Sequence, residues 1–309
     1  MIMVDVREYN VRSSDGVHEL NGRLYIPLGE IKGFFQVVHG MTEHIERYHG
    51  FLQRLAEEGW LAFAYDHLGH GRTAINDDEL GFIASKNGWD ILARDVKAYS
   101  DAVISEYGKV KLPYVLMGHS MGSFIVRLAS QKYVKPDKLI VMGTGGKNGA
   151  AGAGIAVASV ISLFRGEKHI SPLMYKLAFG SYNSRFGGGT EDDPSPWLTT
   201  DEEVRKKYYA DKYCTFKFTV SAMRDLITLN KECNGDGWFE GISKKLPILL
   251  LSGEDDPVGD YGKGVTEVYE KLKEKGCKVD IKLYKGVRHE PLNDSAREEC
   301  ISDILNFVG

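Results

Sequence analysis

Hydrophobic and polar positions along this chain follow two rhythms that take turns. Val4, Val6, Tyr9 and Val11 alternate loosely, Asp15-Gly16 makes a turn, and alternation resumes from Leu20 to Ile26, which predicts an antiparallel hairpin. The unbroken apolar run Phe34 to Val38 predicts a buried strand that stops at His39-Gly40. Ile45, Tyr48, Phe51, Leu52, Leu55 and Ala56 then recur at helical spacing, and Gly59 closes that helix before a second strand, Trp60 to Tyr65. A helix around Trp89 to Tyr107, a strand Tyr114 to Met117, a helix after Ser120 and a strand Leu139 to Met142 continue the alternation. Strands alternating with helices imply a mostly parallel sheet covered on both faces.

After Gly145 the rhythm breaks for about ninety residues, far longer than the ~15 at which a connection is expected to carry structure of its own. This interval holds an uncharged stretch from Asn148 to Phe164, an aromatic segment (Tyr175, Phe179, Tyr182, Phe186), Pro194-Ser195-Pro196-Trp197 and a helical run near Tyr208 to Leu229. The rhythm returns with a strand Ile248 to Leu251, a helix near Val265 to Leu272, a strand Val279 to Tyr284 and a final helix Asp294 to Phe307. The expected organisation is a core of residues 1–145 and 241–309, with 146–240 as an inserted helical cap.

Composition narrows this little further. The 309 residues are 43% hydrophobic and 27% charged, near the globular average, and suffice for a large core. A net charge of −4 gives no electrostatic footprint for nucleic acid or for anionic lipid. The uncharged stretch begins with Gly and Ala and is shorter than the ~20 predominantly apolar residues of a spanning helix. Four cysteines (Cys214, Cys233, Cys277, Cys300) without C-x-x-C spacing fit free thiols in a reducing compartment, and the N-terminal residues lack a signal-peptide pattern, so a cytoplasmic location is expected.

Gly118-His119-Ser120-Met121-Gly122 matches G-x-S-x-G, with the apolar run before it and helical spacing after it that make a strand–turn–helix elbow. A serine hydroxyl is a poor nucleophile and needs a base, and His289, on the loop after the strand ending at Tyr284, is the one histidine beyond His169. An acid must hold that imidazole. No acid follows the strand ending at Met142, whereas Glu254, Asp255 and Asp256 follow Leu251. Sequence logic leaves these three open and favours Asp256, because the turn before Pro257 reaches farthest from the strand end. Two backbone N–H groups should bind the oxyanion: Met121, which follows the nucleophile, and Met41, on the turn after the early strand, with His39 and Gly40 shaping that turn.

Rival chemistries fit worse. His39, His44, Asp66, His67 and His70 invite a metal-site reading, but their spacings match no ligand signature tested. Gly143 to Asn148 lacks the residues of a phosphate loop, and Gly152-Ala153-Gly154 lacks the third glycine of a dinucleotide fingerprint. A carboxylate nucleophile, as an epoxide hydrolase requires, is absent from the elbow, and a binding protein on a decayed scaffold would not retain three filled triad positions.

The motifs resemble those of the monoacylglycerol lipase and lysophospholipase group of α/β-hydrolases, also labelled serine aminopeptidase-like or Hydrolase_4. His39-Gly40-Met41-Thr42-Glu43-His44 with Arg47-Tyr48 looks like the group's HG-x-x-EH-x-x-RY block, Asp66 to Arg72 like its D-H-x-G-H-G block, and Gly118 to Gly122 like its GHSMG elbow. Gly253 to Val258 resembles its acid segment, where the group's catalytic acid falls on Asp256, and Val287 to Glu290 its histidine loop. The sequence departs at Ser123, where many relatives have glycine, and matches loosely in the cap. The resemblance implies an α/β-hydrolase fold and a serine carboxylic-ester hydrolase working through an acyl-enzyme. Its substrate would be a small-molecule ester or single-chain lipid such as monoacylglycerol or lysophospholipid. A small-ester or thioester hydrolase, or a peptidase, is the alternative. No cofactor or metal is required, the uncharged and aromatic cap segments would line an acyl tunnel, and the cap would be the face for any transient contact with a membrane surface.

Overall fold

The computed structural model describes residues 4–309. A hairpin of β1 (Val4–Arg12) and β2 (Glu19–Pro27), paired from Val4↔Pro27 to Arg12↔Glu19, begins the sheet. There follow β3 (Gly33–Val38), α1 (His49–Glu57), β4 (Trp60–Tyr65), α2 (Gly88–Tyr107), β5 (Tyr114–His119), α3 (Met121–Lys132) and β6 (Lys138–Met142). Next come six helices: α4 (Ala151–Arg165), α5 (Pro172–Phe179), α6 (Glu202–Ala210), α7 (Lys212–Thr215), α8 (Val220–Cys233) and α9 (Asp236–Gly241). The chain then closes with β7 (Ile248–Gly253), α10 (Lys263–Glu274), β8 (Val279–Tyr284) and α11 (Arg297–Val308).

The eight strands form one sheet in the order β1-β2-β4-β3-β5-β6-β7-β8. Strands β1, β2 and β4 pair antiparallel, and the rest pair parallel. Every residue of β3, β4, β5 and β7 is buried, as expected of strands covered on both faces. Alternation within β3 splits the core: Phe34 and Val38 join residues of α2, α3, α8 and α10 on one face, and Phe35 and Val37 join those of α1 and α11 on the other. Helices α8 and α9, between β6 and β7, carry Val220, Met223, Leu229, Trp238 and Phe239 of the first cluster.

The helical run expected from Tyr208 to Leu229 is interrupted twice. Asp211 is extended and caps α7 by accepting from the N–H of Tyr213, and Thr219 is extended and caps α8 by accepting from that of Ala222. Side chains that satisfy the first orphan N–H groups of a helix favour a restart over a continuous helix. The uncharged stretch forms α4, with Ala158 buried and Leu163 and Phe164 each 79% exposed.

Candidate active site

Parallel strands end their C-terminal edges on one side of the sheet, and β3, β5, β7 and β8 deliver the candidate residues there. Ser120, between β5 and α3, holds φ 54° and ψ −121°, a left-handed conformation that L residues adopt only when their surroundings enforce it. The surroundings are the Ser120 N–H donating to Met142 O (2.9 Å), and the Ser123 N–H and Oγ both donating to Ser120 O (2.9 and 2.5 Å). Ser123, the departure from glycine, thus tightens the elbow. A Cβ on Gly122 would lie 2.1 Å from Val38 O, so only glycine lets α3 leave this close to β3.

His289 Nδ1 lies 2.9 Å from Asp256 Oδ2, and Asp256 Oδ1 accepts from the Val258 N–H at 2.8 Å. Both side chains are buried, whereas Glu254 is exposed and Asp255 half-buried. Ser120, His289, Met41 and Met121 line one cavity of about 370 Å³, with no direct hydrogen bond between the serine hydroxyl and the imidazole among the described residues.

The turn after β3 is fixed by three neutral imidazoles. His39 Nδ1 donates to Gly40 O at 2.8 Å, while its Nε2 accepts from the His67 N–H at 3.0 Å. His70 Nε2 accepts from the Thr42 N–H, and His67 Nε2 donates to His39 O. Burial and mutual proximity push all three below the usual histidine range, His67 to about 3 and His70 to about 4. Because a peptide is planar and trans, pinning Gly40 C=O on His39 turns the Met41 N–H the opposite way. Met121 is the first residue of α3, so its N–H has no intrahelical acceptor. A Cβ on Gly40 would approach Ser120 Cβ to 2.9 Å, so this turn is seated directly against the serine. His39 and Gly40 are therefore beside the cavity rather than in its wall.

Beneath lies a charged lattice to which sequence reasoning assigned no role. Arg47 donates to Glu43 (2.9 Å) and forks onto both oxygens of Glu290 (2.8 and 2.6 Å). Glu43 also accepts from the Gly40 N–H and Tyr48 Oη, and lies 3.2 Å from His119 Nδ1. His119 Nε2 donates to the backbone carbonyl of His289 at 3.1 Å, so both ring nitrogens face acceptors and the ring fits as an imidazolium. Burial lowers the His119 pKa, but its hydrogen bond and charge interaction with Glu43 outweigh that and hold it above the ordinary value. Glu43 is held well below the carboxylate range: burial would raise it, and His119 and Arg47 overcome that. The lattice joins the turn carrying Met41 to the loop carrying His289. Its available signal was the i,i+4 spacing of Glu43 and Arg47; Glu290, 243 residues away, gave none.

Residues between β6 and β7 supply the rest of the cavity. Trp197 stands 5.1 Å from the His289 ring, Tyr182 5.0 Å from Trp197, and Tyr175, Phe179, Phe216 and Leu226 complete an apolar wall. The aromatic segment thus reaches the cavity, while α4, expected to share in lining it, contributes no residue to the wall. Of the residues suggestive of a metal site, His39, His67 and His70 bond to backbone and to each other's turns, and Asp66 accepts from the Ile45 and Arg72 N–H groups. The one grouping with metal-ligand proximity among the described residues is instead His44 with Asp211 and Cys214.

Comparisons with known proteins identify the family and the fold. The monoacylglycerol lipase of Mycolicibacterium smegmatis is 25% identical over 297 residues, covering 92% of this chain and 91% of its own. The monoglyceride lipase homolog of monkeypox virus is 30% identical over 302 residues, covering 91% of each. The crystal structure of a highly thermostable carboxyl esterase from Bacillus coagulans, in complex with glycerol, superposes with a TM-score of 0.90 at 29% identity, over 99% of this chain and 98% of that one. Residues 29–296 match the family described as serine aminopeptidase, S33 (Hydrolase_4). With that match, and with the eight-stranded sheet carrying a serine elbow at its centre, the chain belongs to the Hydrolase_4 family and is a serine hydrolase of the α/β-hydrolase fold.

Proposed function

We propose that the chain hydrolyses carboxylic esters of single-chain lipids, monoacylglycerol-like or lysophospholipid-like, through an acyl-enzyme on Ser120. The observation that carries this reading is the cavity, in which Ser120 and His289 meet an apolar aromatic wall built by the cap, residues 146–240. His289 takes the hydroxyl proton as Ser120 Oγ attacks the ester carbonyl and gives it to the leaving alcohol. Asp256 holds the imidazole through Nδ1. The Met41 and Met121 N–H groups stabilise the oxyanion. Water then repeats the sequence on the acyl-enzyme, and no cofactor takes part.

Peptide substrates are disfavoured by the same wall. An aminopeptidase needs a free carboxylate for the substrate ammonium, and Glu43 and Glu290, the acids lining the cavity, are committed to Arg47, His119 and the Gly40 N–H. We further propose that the apolar outer surface of α4 and α5, beside exposed Lys168 and Lys176, meets a membrane surface transiently.

The test is a panel of p-nitrophenyl esters from acetate to octanoate below the micelle threshold, with aminoacyl anilides alongside. Burying an acyl chain gains about 0.8 kcal/mol per methylene, so kcat/KM should rise roughly tenfold per two carbons until the cavity is filled, then level off. Ser120→Ala should abolish turnover and labelling by a fluorophosphonate probe with the fold intact. A steady decline from acetate onward would replace the lipid reading with a small-ester one, and faster anilide cleavage would replace it with a peptidase.

A further inference from the structure

Beside the oxyanion turn, three groups of different chemistry converge from two parts of the chain. His44 follows Gly40 on the turn after β3, whereas Asp211 and Cys214 belong to α7 and its cap residue. A nitrogen of His44, an oxygen of Asp211 and the sulfur of Cys214 lie within 4.8 Å of one another. His44 and Cys214 are buried, Asp211 is half-buried, and His44 Nε2 is 2.8 Å from Asp211 Oδ2. The other Asp211 oxygen caps the Tyr213 N–H at 2.8 Å, which orients the carboxylate. Cys214 also lines the substrate cavity.

We propose that His44, Asp211 and Cys214 form a zinc-class cation site that clamps the cap onto the oxyanion turn. Imidazole, carboxylate and thiolate are the zinc donor types. Bond lengths of 2.0–2.3 Å at a tetrahedral centre separate donors by roughly 3.4–3.6 Å, which these side chains reach by small rotations from their present spacing. One carboxylate and one thiolate neutralise the dication. Binding balances with a single proton: the Cys214 sulfhydryl releases it to solvent, and the neutral His44 ring exchanges the Nε2 proton that faces Asp211 for one on Nδ1, which frees Nε2 to coordinate. Three protein ligands leave a fourth position for water, and Cys214 places the site beside the cavity. The clamp acts across a seam otherwise joined by Tyr208 Oη to Thr42 and by Lys212 to Asp77. It goes beyond the proposed ester chemistry, and binding is measured directly, so its failure is distinct from failure of that reading.

Zn²⁺ titrated into the chelator-stripped full chain, in competition with a chromogenic chelator, should bind at one equivalent. Cys214→Ser, nearly isosteric, and His44→Ala should each weaken binding by at least about tenfold, while Cys277→Ser leaves it unchanged. Co²⁺ should give a thiolate charge-transfer band that Cys214→Ser abolishes, which keeps the test decisive if His44→Ala fails to fold. Absence of stoichiometric binding to folded wild type, binding that survives in Cys214→Ser, or a Co²⁺ spectrum without a sulfur band would each overturn the site.

Discussion

At the scale of single residues, the turn after β3 is held by a histidine that bonds backbone, and under the proposed mechanism it directs catalysis without exchanging a proton. His39 holds the Gly40 carbonyl at 2.8 Å and thereby aims the Met41 N–H, so His39→Ala frees the peptide to rotate. Loss of one oxyanion donor typically costs 10²–10³ in kcat, and His39→Ala should lower kcat by about that factor with KM little changed. A rise in KM alone would make His39 a binding residue. The acids separate by the same reasoning. Asp256 Oδ2 meets His289 while Glu254 is exposed, so Asp256→Asn should cut turnover by about 10⁴ and Asp255→Asn should be mild, as read from single-turnover rates. The reverse ranking would move the acid to Asp255.

Among the elements, α8 packs against α2 and α3. Its Asp225 carboxylate sits at the start of α2 against Gly88 and Trp89, and burial pushes its pKa up to about 7. An unfolded aspartate titrates near ~3.9, so between about pH 4 and 7 the folded chain keeps a proton that the unfolded chain has lost. This group's contribution therefore favours the fold at low pH and is lost as pH rises through 7. Asp225→Asn cannot ionise, and its Tm relative to wild type should climb from about pH 5 to 8. A difference that stays flat across that range would show that Asp225 does not titrate in the window.

For the whole molecule, α5 turns one side to the cavity and another outward. Tyr175 and Phe179 of α5 line the cavity, whereas Leu173 and Leu177 of α5, with Leu163 and Phe164 of α4, face outward. No helix among the described residues is long and apolar enough to cross a membrane. Leu163→Asp with Phe164→Asp should reduce co-sedimentation with anionic phosphatidylglycerol vesicles and leave hydrolysis of a dissolved short ester unchanged, since both residues lie outside the cavity. Equal sedimentation of variant and parent would remove the membrane from the account.

The sequence by itself determined what repeats at short range. Alternation in the N-terminal hairpin and short apolar runs between helical stretches marked all eight strands, among them Trp60–Tyr65 and Val279–Tyr284, and the G-x-S-x-G spacing marked the elbow, because backbone geometry imposes those patterns locally. The helical run from Tyr208 misled because caps at Asp211 and Thr219 compete with the helix through side chains that periodicity does not weigh. Tertiary structure alone decided which acid meets His289, which way α4 faces, and that Arg47 joins Glu43 to Glu290 and His44 meets Asp211. Those choices depend on desolvation, which makes a buried charge or imidazole tolerable only where a partner is brought to it, and here the partners stand 167 and 243 residues away along the chain.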